Sequence, residues 1–468
     1  MVVGDIATGT DLLVIGGGPA GYSAAIRGAQ KGLDVTLVEK NEIGGTCLNR
    51  GCIPAKALIH AAKYQSDLDH WNEIGIHTEN REVNFDEVQE WKDGIVERLD
   101  SGVEAMLEKN GVNYVTGEAT FESSNSVRVE EEHNAEKIEF EKAVIATGSK
   151  PIEIPGLEFD KDKVISSREL LNLDEVPDEI VVVGGGYIGM EAVTKFCKFG
   201  STVKVVEARD RVLQNFSQEI VDEIQETSDC YNDEIYENHK AQEVKYRDDK
   251  AVLVAENDDE KVEVEGDLIL VAAGRTAEPN LEDLGLENTE VEIEEGFVKH
   301  DSQMVTDDEN ILVVGDAAGQ PMLAHKGYRE GKVAGEVAAG EPAAFDNQYI
   351  PKVIYTDPEV AVIGMTEKEA REEFDEVKIG KFNMSASGRA LTTNHESGFI
   401  KVVASGDDKI QGAQIVAPRA SDMIAEATLA LEMQAYLDDV ANTIHAHPTF
   451  PEAFGEACED ALDECIHQ

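Results

Sequence analysis

The chain carries the same short unit twice. Residues 11–21 read DLLVIGGGPAG and residues 179–189 read EIVVVGGGYIG, so each copy has an acidic residue, an apolar strand and a G-x-G-x-x-G turn. Each copy continues into a helix-like segment and a second apolar run that ends in a glutamate, Glu39 or Glu207. The glycines and the glutamates repeat at the same offset of 168 residues. This duplication predicts two strand–helix–strand units, each built on a parallel sheet.

The glycine turns have the pattern of a phosphate cradle. The first glycine allows the tight turn, the second lets the backbone approach a pyrophosphate, and the third lets helix and strand pack closely. The helix N-terminus faces the phosphates, and the glutamate about 20 residues further on binds a ribose hydroxyl. We therefore predict two dinucleotide sites, with Gly16, Gly18 and Gly21 in the first and Gly184, Gly186 and Gly189 in the second.

Two dinucleotide sites in one chain suggest two different dinucleotides, with electrons passing between them. A flavin at one site and a nicotinamide at the other is the natural pairing. At the second site Glu207 favours NAD over NADP, because a carboxylate would repel a 2′-phosphate. Arg209 and Arg211, which follow it closely, weaken that preference.

Residues 44–56, GGTCLNRGCIPAK, hold two cysteines with four residues between them. A metal site would need further ligands, and His445 and His447 are far away in the sequence, so we expect no metal. A redox-active disulfide between Cys47 and Cys52 beside the flavin fits better, because it exchanges two electrons, as flavin and NAD do. The segment from Pro54 reads as a helix, and a thiol near a helix N-terminus has a lowered pKa.

The chain is strongly acidic. It has 95 Asp and Glu against 41 Lys and Arg, a formal net charge of −54, and the acid is spread along its length. Molar salt shortens the Debye length to about 3 Å and would screen this self-repulsion. The composition therefore predicts a surface adapted to a salt-rich cytoplasm and argues against nucleic-acid partners and anionic membranes. The start has no basic region of a signal peptide, and no run of about 20 apolar residues predicts a membrane span.

Together these motifs resemble those of the flavin-dependent pyridine nucleotide-disulfide oxidoreductases, and most closely the dihydrolipoamide dehydrogenases. The resemblance covers essentially the whole chain. It implies oxidation of dihydrolipoamide to lipoamide with reduction of NAD⁺, through FAD, as a component of 2-oxo acid dehydrogenase-type complexes. The further matching segments, in the family's order, are VIATGSKP (144–151), GGGYIGMEA (184–192), AAGRTAEPN (272–280), VVGDAAG (313–319), LAHKGYREG (323–331) and HAHPTFPEAF (445–454).

The resemblance also implies roles for individual catalytic residues. Cys47 would be the interchange thiol that attacks the substrate disulfide, and Cys52 the thiolate next to the flavin. Lys56 would lie near the flavin and pair with Glu191, since each would otherwise be an unpaired buried charge.

The C-terminal segment is expected to supply the base. His447, oriented by Glu452, would take protons from the dithiol substrate near neutral pH. In the family this segment crosses a dimer interface, so His447 would serve Cys47 of the partner subunit. The resemblance therefore implies a homodimer.

The cofactor contacts implied by the resemblance form two sets, in which Asp316 would bind ribitol hydroxyls and Ala119 and Val244 would make backbone contacts. For FAD they are Gly16, Gly18, Gly21, Glu39, Lys56, Ala119, Thr147, Gly148, Asp316 and Ala324. For NAD they are Gly184, Gly186, Gly189, Glu207, Val244 and Gly274.

The predicted architecture is α/β, with two Rossmann-like dinucleotide-binding domains and an α+β C-terminal dimerisation domain. We expect the first part of the FAD domain at residues 1–150, the NAD domain at 151–279, a segment completing the FAD domain at 280–346, and the dimerisation domain at 347–468. In the last, KVIYTDPEVAVIGMT and GFIKVVAS are typical of strands, and ASDMIAEATLALEMQA has helical periodicity.

Three other functions are weighed against this one. A reductase of another small disulfide shares the core motifs, but such enzymes usually use NADPH, which Glu207 disfavours. A mercuric reductase should carry vicinal cysteines near its end, whereas Cys458 and Cys465 are seven apart. A non-catalytic sensor of the NAD state is disfavoured because all the catalytic groups are retained. A separate hypothesis concerns the partner: the acidic surface would suit a basic docking site on an acyltransferase.

Overall fold

A computed structural model describes residues 7–77, 82–131, 134–231 and 234–468, so the first six residues of the predicted FAD domain lie outside it. The first glycine unit lies in the middle of a mostly parallel sheet, in which the strands run in the order β3, β2, β1, β6, β5 and β4. Here the bounds are β1 (Ala7–Ile15), α1 (Pro19–Gln30), β2 (Val35–Glu39), α2 (Gly45–Arg50), α3 (Cys52–His70), α4 (Phe85–Lys109), β3 (Asn113–Thr116), β4 (Glu118–Ser123), β5 (Ser126–Glu130) and β6 (Ala135–Ile145). Strand β2 is buried along its length, as is usual for a parallel strand covered on both faces.

The second glycine unit forms a separate parallel sheet with the strand order β11, β10, β9, β15 and β8. An antiparallel sheet of β12, β13 and β14 accompanies it. The bounds are β7 (Lys150–Pro151), β8 (Val164–Ile165), α5 (Ser167–Leu170), β9 (Glu179–Val183), α6 (Tyr187–Phe199), β10 (Thr202–Val206), α7 (Gln218–Thr227), β11 (Ile235–Tyr236), β12 (Lys240–Arg247), β13 (Lys250–Glu256), β14 (Lys261–Gly266), β15 (Leu268–Val271) and β16 (Arg275–Thr276).

The chain then returns to the first sheet. The bounds are α8 (Glu278–Leu281), β17 (Ile293–Glu294), β18 (Phe297–Val298), β19 (Ile311–Val313) and α9 (Ala324–Ala338). Strand β19 pairs in parallel with β6, and α9 packs closely on α1. The second unit is therefore inserted into the first, which is the order that the sequence predicts; the domain boundaries themselves stay predictions.

The last part of the chain is an antiparallel sheet covered by helices. Its strands lie in the order β20, β21, β24, β23 and β22, with α12 and α14 packed against them. The bounds are β20 (Lys352–Ile354), β21 (Glu359–Gly364), α10 (Glu367–Glu373), β22 (Val377–Asn383), α11 (Gly388–Thr393), β23 (Phe399–Ser405), β24 (Ile410–Ala417), α12 (Ala420–Glu432), α13 (Leu437–Ala441) and α14 (Glu452–Ala461). The strands and the helix expected here correspond to β20, β21, β23 and α12. Within the described ranges, every helix is too short or too polar to cross a membrane.

Candidate active site

The first glycine turn joins β1 to α1 and has the geometry of a phosphate cradle. Gly16 has a φ of +107°, and a Cβ there would lie 2.3 Å from the carbonyl oxygen of Ala146. A Cβ on Gly21 would lie 1.8 Å from the carbonyl oxygen of Gly16, so only glycine lets α1 approach this closely. The space beside Gly18 is open, which leaves the start of α1 accessible to a phosphate.

Glu39 ends β2, and the backbone holds its carboxylate in place. Oε2 accepts a hydrogen bond from the Gly17 N–H at 2.7 Å, and Oε1 accepts one from the Asn41 N–H at 2.8 Å. The residue is 8% exposed. A carboxylate fixed at the end of the second strand is suited to binding a ribose hydroxyl.

A cavity of about 510 Å³ opens beside this turn. Its walls come from the turn, α2, α3, the start of β4, the segment after β6, α6 and the start of α9. The predicted residues that it brings together are Gly16, Gly18, Glu39, Cys47, Cys52, Lys56, Ala119, Thr147, Gly148, Glu191, Asp316 and Ala324. Gly21 does not line the cavity, but it allows the turn to form.

The polar groups of the cavity fit a flavin dinucleotide. Oγ1 of Thr147 is buried and has no hydrogen-bond partner in the described part of the chain, so it is available to a ligand. Asp316 lines the cavity, and its Oδ2 accepts a hydrogen bond from Ser149 Oγ at 2.5 Å. Arg275 Nε in turn donates to Ser149 Oγ at 2.8 Å. A carboxylate held in this way can accept a hydrogen bond from a ribitol hydroxyl.

Cys47 lies within α2, and Cys52 is the first residue of α3. Both are free thiols in this structure, and the Cys47 thiol donates a hydrogen bond to the Cys52 sulfur. This hydrogen bond, opposed by burial and aided by the Lys56 ammonium, lowers the pKa of Cys52 to about 7. The same hydrogen bond, together with burial, raises the pKa of Cys47. The pair is therefore arranged to hold one thiol and one thiolate near neutral pH.

Lys56 and Glu191 join α3 to α6 across the cavity wall. Lys56 Nζ donates to the two carboxylate oxygens of Glu191 at 2.8 and 3.0 Å, and lies 4.6 Å from the ring centroid of Tyr355. Glu191 also accepts a hydrogen bond from the Tyr355 N–H at 3.2 Å. Burial acts to lower the pKa of Lys56, but Glu191 outweighs it and the pKa is raised. Lys56 therefore carries a fixed positive charge next to the Cys52 sulfur.

The second glycine turn repeats the first. Gly184 has a φ of +106°, and a Cβ on Gly189 would lie 2.1 Å from the Gly184 carbonyl oxygen. The carboxylate of Glu207 accepts hydrogen bonds from the N–H of Gly185 at 2.6 Å and of Arg209 at 2.8 Å. The Arg209 guanidinium bonds instead to Gln214 at 2.9 Å. This turn lies outside the lining of the described cavity and has the form of a second dinucleotide site.

The remaining predicted NAD contacts lie on different elements. Gly274 follows β15 with a φ of +117°, and its carbonyl accepts a hydrogen bond from the Ile152 N–H at 3.0 Å. Val244 lies on β12 opposite Leu253, half-buried against a hydrophobic core. Their contacts with a nicotinamide dinucleotide stay predictions, as does that of Gly186, where the space beside the turn is open.

His447 and Glu452 form a pair in the C-terminal part of the chain. Nδ1 of His447 lies 2.7 Å from Oε1 of Glu452, whose Oε2 accepts a hydrogen bond from the Thr449 N–H at 2.6 Å. The His447 side chain is 79% exposed and does not line the described cavity. Within one chain the structure therefore does not bring His447 to Cys47. His445 is engaged elsewhere, 2.8 Å from Glu426.

Sequence reasoning missed a disulfide between Cys197, near the end of α6, and Cys230. These two cysteines are 33 residues apart and belong to no short motif, so the sequence left their role open. A buried hydrogen bond of 2.7 Å between Thr194 and Tyr231 joins the same two segments. Tyr187, at the start of α6, lines the cavity and was also not predicted.

Comparison with known proteins decides the family. The family model described as pyridine nucleotide-disulphide oxidoreductase matches residues 10–331, and the dimerisation domain of the same family matches residues 350–458. The chain belongs to the pyridine nucleotide-disulphide oxidoreductases. The family resemblance and the predicted fold class, with two dinucleotide-binding units and a C-terminal dimerisation domain, are confirmed.

Relatives match this chain along its whole length, and a solved structure matches nearly all of it. Dihydrolipoyl dehydrogenase 3 of Haloarcula marismortui is 46% identical, with all of both chains covered. The dihydrolipoyl dehydrogenase of Haloferax volcanii is 47% identical over 100% of this chain and 99% of the relative, and that of Geobacillus stearothermophilus is 44% identical with the same coverage. The crystal structure of LpdA from Mycobacterium tuberculosis has a TM-score of 0.89 at 23% identity, covering 96% of this chain and 99% of that one, which shows the shared fold.

Proposed function

We propose that this oxidoreductase is an NAD-dependent dihydrolipoyl dehydrogenase with FAD as its bound cofactor. The observation that carries the proposal is that one dinucleotide-binding cavity holds Cys47, Cys52 and the Lys56–Glu191 pair. Full-length relatives at 44–47% identity bear this name. In the balanced reaction, dihydrolipoamide and NAD⁺ give lipoamide, NADH and a proton.

The cysteine pair serves as a store for two electrons. In the oxidised enzyme Cys47 and Cys52 form a disulfide, and a thiolate of the substrate attacks the Cys47 sulfur to form a mixed disulfide. The second substrate thiolate closes the lipoamide ring and releases Cys47. Cys52 is left as a thiolate, which the Cys47 hydrogen bond and the Lys56 charge support. When bound, the flavin supplies the two-electron relay between this thiolate and NAD⁺.

His447 is the base that removes protons from the dithiol substrate, and Glu452 fixes its ring by the 2.7 Å contact at Nδ1. This leaves Nε2 to face the substrate. Because His447 is exposed and apart from the cavity of its own chain, it serves Cys47 of the partner subunit. The match to a dimerisation domain supports this homodimer.

The choice of NAD over NADP rests on Glu207. Its carboxylate is held at the second glycine turn, where it would accept a hydrogen bond from a ribose hydroxyl and repel a 2′-phosphate. Arg209 and Arg211 do not reverse this, because their guanidinium groups are engaged with Gln214 and with the carbonyl oxygens of Gln214 and Phe216.

The substrate is carried on a lipoyl group of a 2-oxo acid dehydrogenase-type complex or a glycine-cleavage carrier, in a salt-rich cytoplasm. The formal charge of −54 supports the salt-rich setting, because such a surface needs screening. It also suits a basic docking surface on the carrier protein. Loss of the carrier from a pull-down at molar salt would count against that docking.

The test is NAD⁺ reduction by dihydrolipoamide in molar KCl, with NADP⁺ and the Cys47→Ser variant as controls. We expect NADH formation that requires dihydrolipoamide, is much slower with NADP⁺, and is absent in the variant. A folded, yellow protein that ignores dihydrolipoamide but reduces another small disulfide would overturn the substrate and keep the cysteine chemistry.

A further inference from the structure

Lys195 is a buried amine in the wall of the active-site cavity. It lies on α6, one helical turn after Glu191, and is 3% exposed. Its side chain contributes to the same cavity as Cys52 and Lys56. A lysine is rarely buried to this extent unless it has a partner or a function.

The two other lysines in this region each have hydrogen-bond acceptors. Lys56 donates to both oxygens of Glu191, and Lys92 donates to the Leu171 carbonyl at 2.9 Å and to the side chain of Asn172 at 3.1 Å. In the described part of the chain, Lys195 has neither a hydrogen bond nor an ion pair; its Nζ lies 5.0 Å from the ring centroid of its neighbour Phe196. Its ammonium is therefore available to the contents of the cavity.

The charges around Lys195 come from three helices. Glu191 on α6 favours its protonated form, whereas Lys56 on α3 and Lys92 on α4 disfavour it. Burial is the largest influence, and the result lowers the pKa of Lys195 to about 7. The amine can therefore gain or lose a proton near neutral pH when charge changes in the cavity.

We propose that Lys195 is a positioning residue whose ammonium stabilises the two-electron-reduced state of the active site. This rests on the proposed function. Reduction breaks the sulfur–sulfur bond between Cys47 and Cys52, adds two electrons and takes up one proton from solvent, and leaves a thiol at Cys47 and a thiolate at Cys52. The added negative charge lies in the cavity that Lys195 lines, so a positive charge there favours reduction. Reduction in turn favours protonation of Lys195, because the two effects are linked.

The test compares Lys195→Met with wild type by anaerobic dithionite titration against a redox dye, in molar KCl. Near about pH 6, where Lys195 is protonated, we expect the variant to be harder to reduce by about tenfold in equilibrium constant, which is about 30 mV for a two-electron couple. Near about pH 9, where the amine is neutral in both oxidation states, the two proteins should agree. Lys195→Arg, which keeps its charge at every pH, should remain easier to reduce than Lys195→Met by about the same factor even near about pH 9.

The matched control is Lys245→Met, which removes one positive charge from an exposed side chain on β12, outside the cavity. It should titrate as wild type. The proposal is overturned if Lys195→Met equals wild type at every pH, or if the control shifts as much. The dye titration uses neither dihydrolipoamide nor NAD, so a wild-type protein inactive with dihydrolipoamide would overturn the proposed substrate without deciding the role of Lys195.

Discussion

The two glycine units share one backbone design. In both, the first glycine has a positive φ, +107° and +106°, and a Cβ on the third would lie close to the carbonyl oxygen of the first, at 1.8 and 2.1 Å. In both, the glutamate that follows accepts a hydrogen bond from the N–H of the middle glycine, Gly17 or Gly185. Repetition in the sequence thus produces repetition of the local structure.

The helices that follow the two turns differ in their neighbours. Helix α1 lies so close to α9 that a Cβ on Gly335 would come within 2.7 Å of the Ala24 carbonyl oxygen. Arg27 on α1 occupies the position that Lys195 has on α6, and it is paired with Glu336 on α9 at 3.5 Å. Helix α6 faces α3 and the cavity, where Lys195 has no such pair among the described residues. The motif determines the turn, whereas the packing of the helix determines the chemistry.

The largest expected effect is a difference in turnover between variants of the two cysteine pairs. Cys47 and Cys52 belong to the first glycine unit, and Cys197 and Cys230 belong to the second. Cys47→Ser removes the sulfur that the substrate attacks, so turnover with dihydrolipoamide should fall by about a thousandfold or more. Cys197→Ser should leave turnover within about twofold, because its sulfur lies outside the cavity lining. Steady-state NADH formation measures both. Equal losses in the two variants, with Cys197→Ser folded by circular dichroism, would show that the second pair also takes part in catalysis.

The next largest effect is on the free energy of unfolding. It tests the difference between Arg27, which has an ion-pair partner, and Lys195, which has none among the described residues. A lysine with a pKa of about 7 when folded binds fewer protons than the unfolded chain between about pH 7 and 10, so wild-type stability rises with pH over that window. Lys195→Met lacks this penalty. Below about pH 7 it should unfold with a free energy higher by roughly 4 kcal/mol, and the gain should disappear near about pH 10.

Urea unfolding in molar KCl, at several pH values, measures this gain, with Lys245→Met as the exposed control. A Lys195→Met protein less stable than wild type below neutral pH would mean that the ammonium has a stabilising partner. Arg27→Met in the first unit should instead lose stability by about 1 kcal/mol or less, because it breaks a half-exposed ion pair.

A slightly smaller effect is expected from the Cys197–Cys230 disulfide of the second unit; the first unit has Ala29 at the position of Cys197. The disulfide closes a loop of 33 residues, so the double variant Cys197→Ser/Cys230→Ser should lose about 3–4 kcal/mol of unfolding free energy. Cys465→Ser, at a partly exposed free cysteine, should change it by about 0.5 kcal/mol or less. Equal urea midpoints for the double variant and wild type would show that the bond does not constrain the unfolded chain.

Sequence reasoning located the features that depend on local pattern. It placed both glycine turns, the cysteine pair and the helix after it, although α3 begins at Cys52 and not at Pro54. Through the family resemblance it also paired Lys56 with Glu191, 135 residues apart.

Features that arise from tertiary packing could not be predicted from the sequence. The burial of Lys195 depends on how α6 meets α3 and α4, and the bond of Cys197 depends on a segment 33 residues away. The position of Val244 depends on a related feature, because β12 has a register shift between Ala241 and Glu243 that no spacing rule reveals.

The smallest expected effect comes from the glutamate that each of the two units carries after its glycine turn. Glu39→Gln and Glu207→Gln each weaken a charge-assisted hydrogen bond to a glycine N–H and the expected bond to a ribose, at a cost of about 1–2 kcal/mol. Glu39→Gln should release FAD about 5- to 30-fold more readily and leave the KM for NAD⁺ unchanged. Glu207→Gln should keep its flavin, raise the KM for NAD⁺ by a similar factor, and accept NADP⁺ better because the carboxylate no longer repels the 2′-phosphate. Flavin fluorescence on dilution and steady-state kinetics measure the two. If either substitution affected both cofactors equally, the assignment of one dinucleotide to each unit would be wrong.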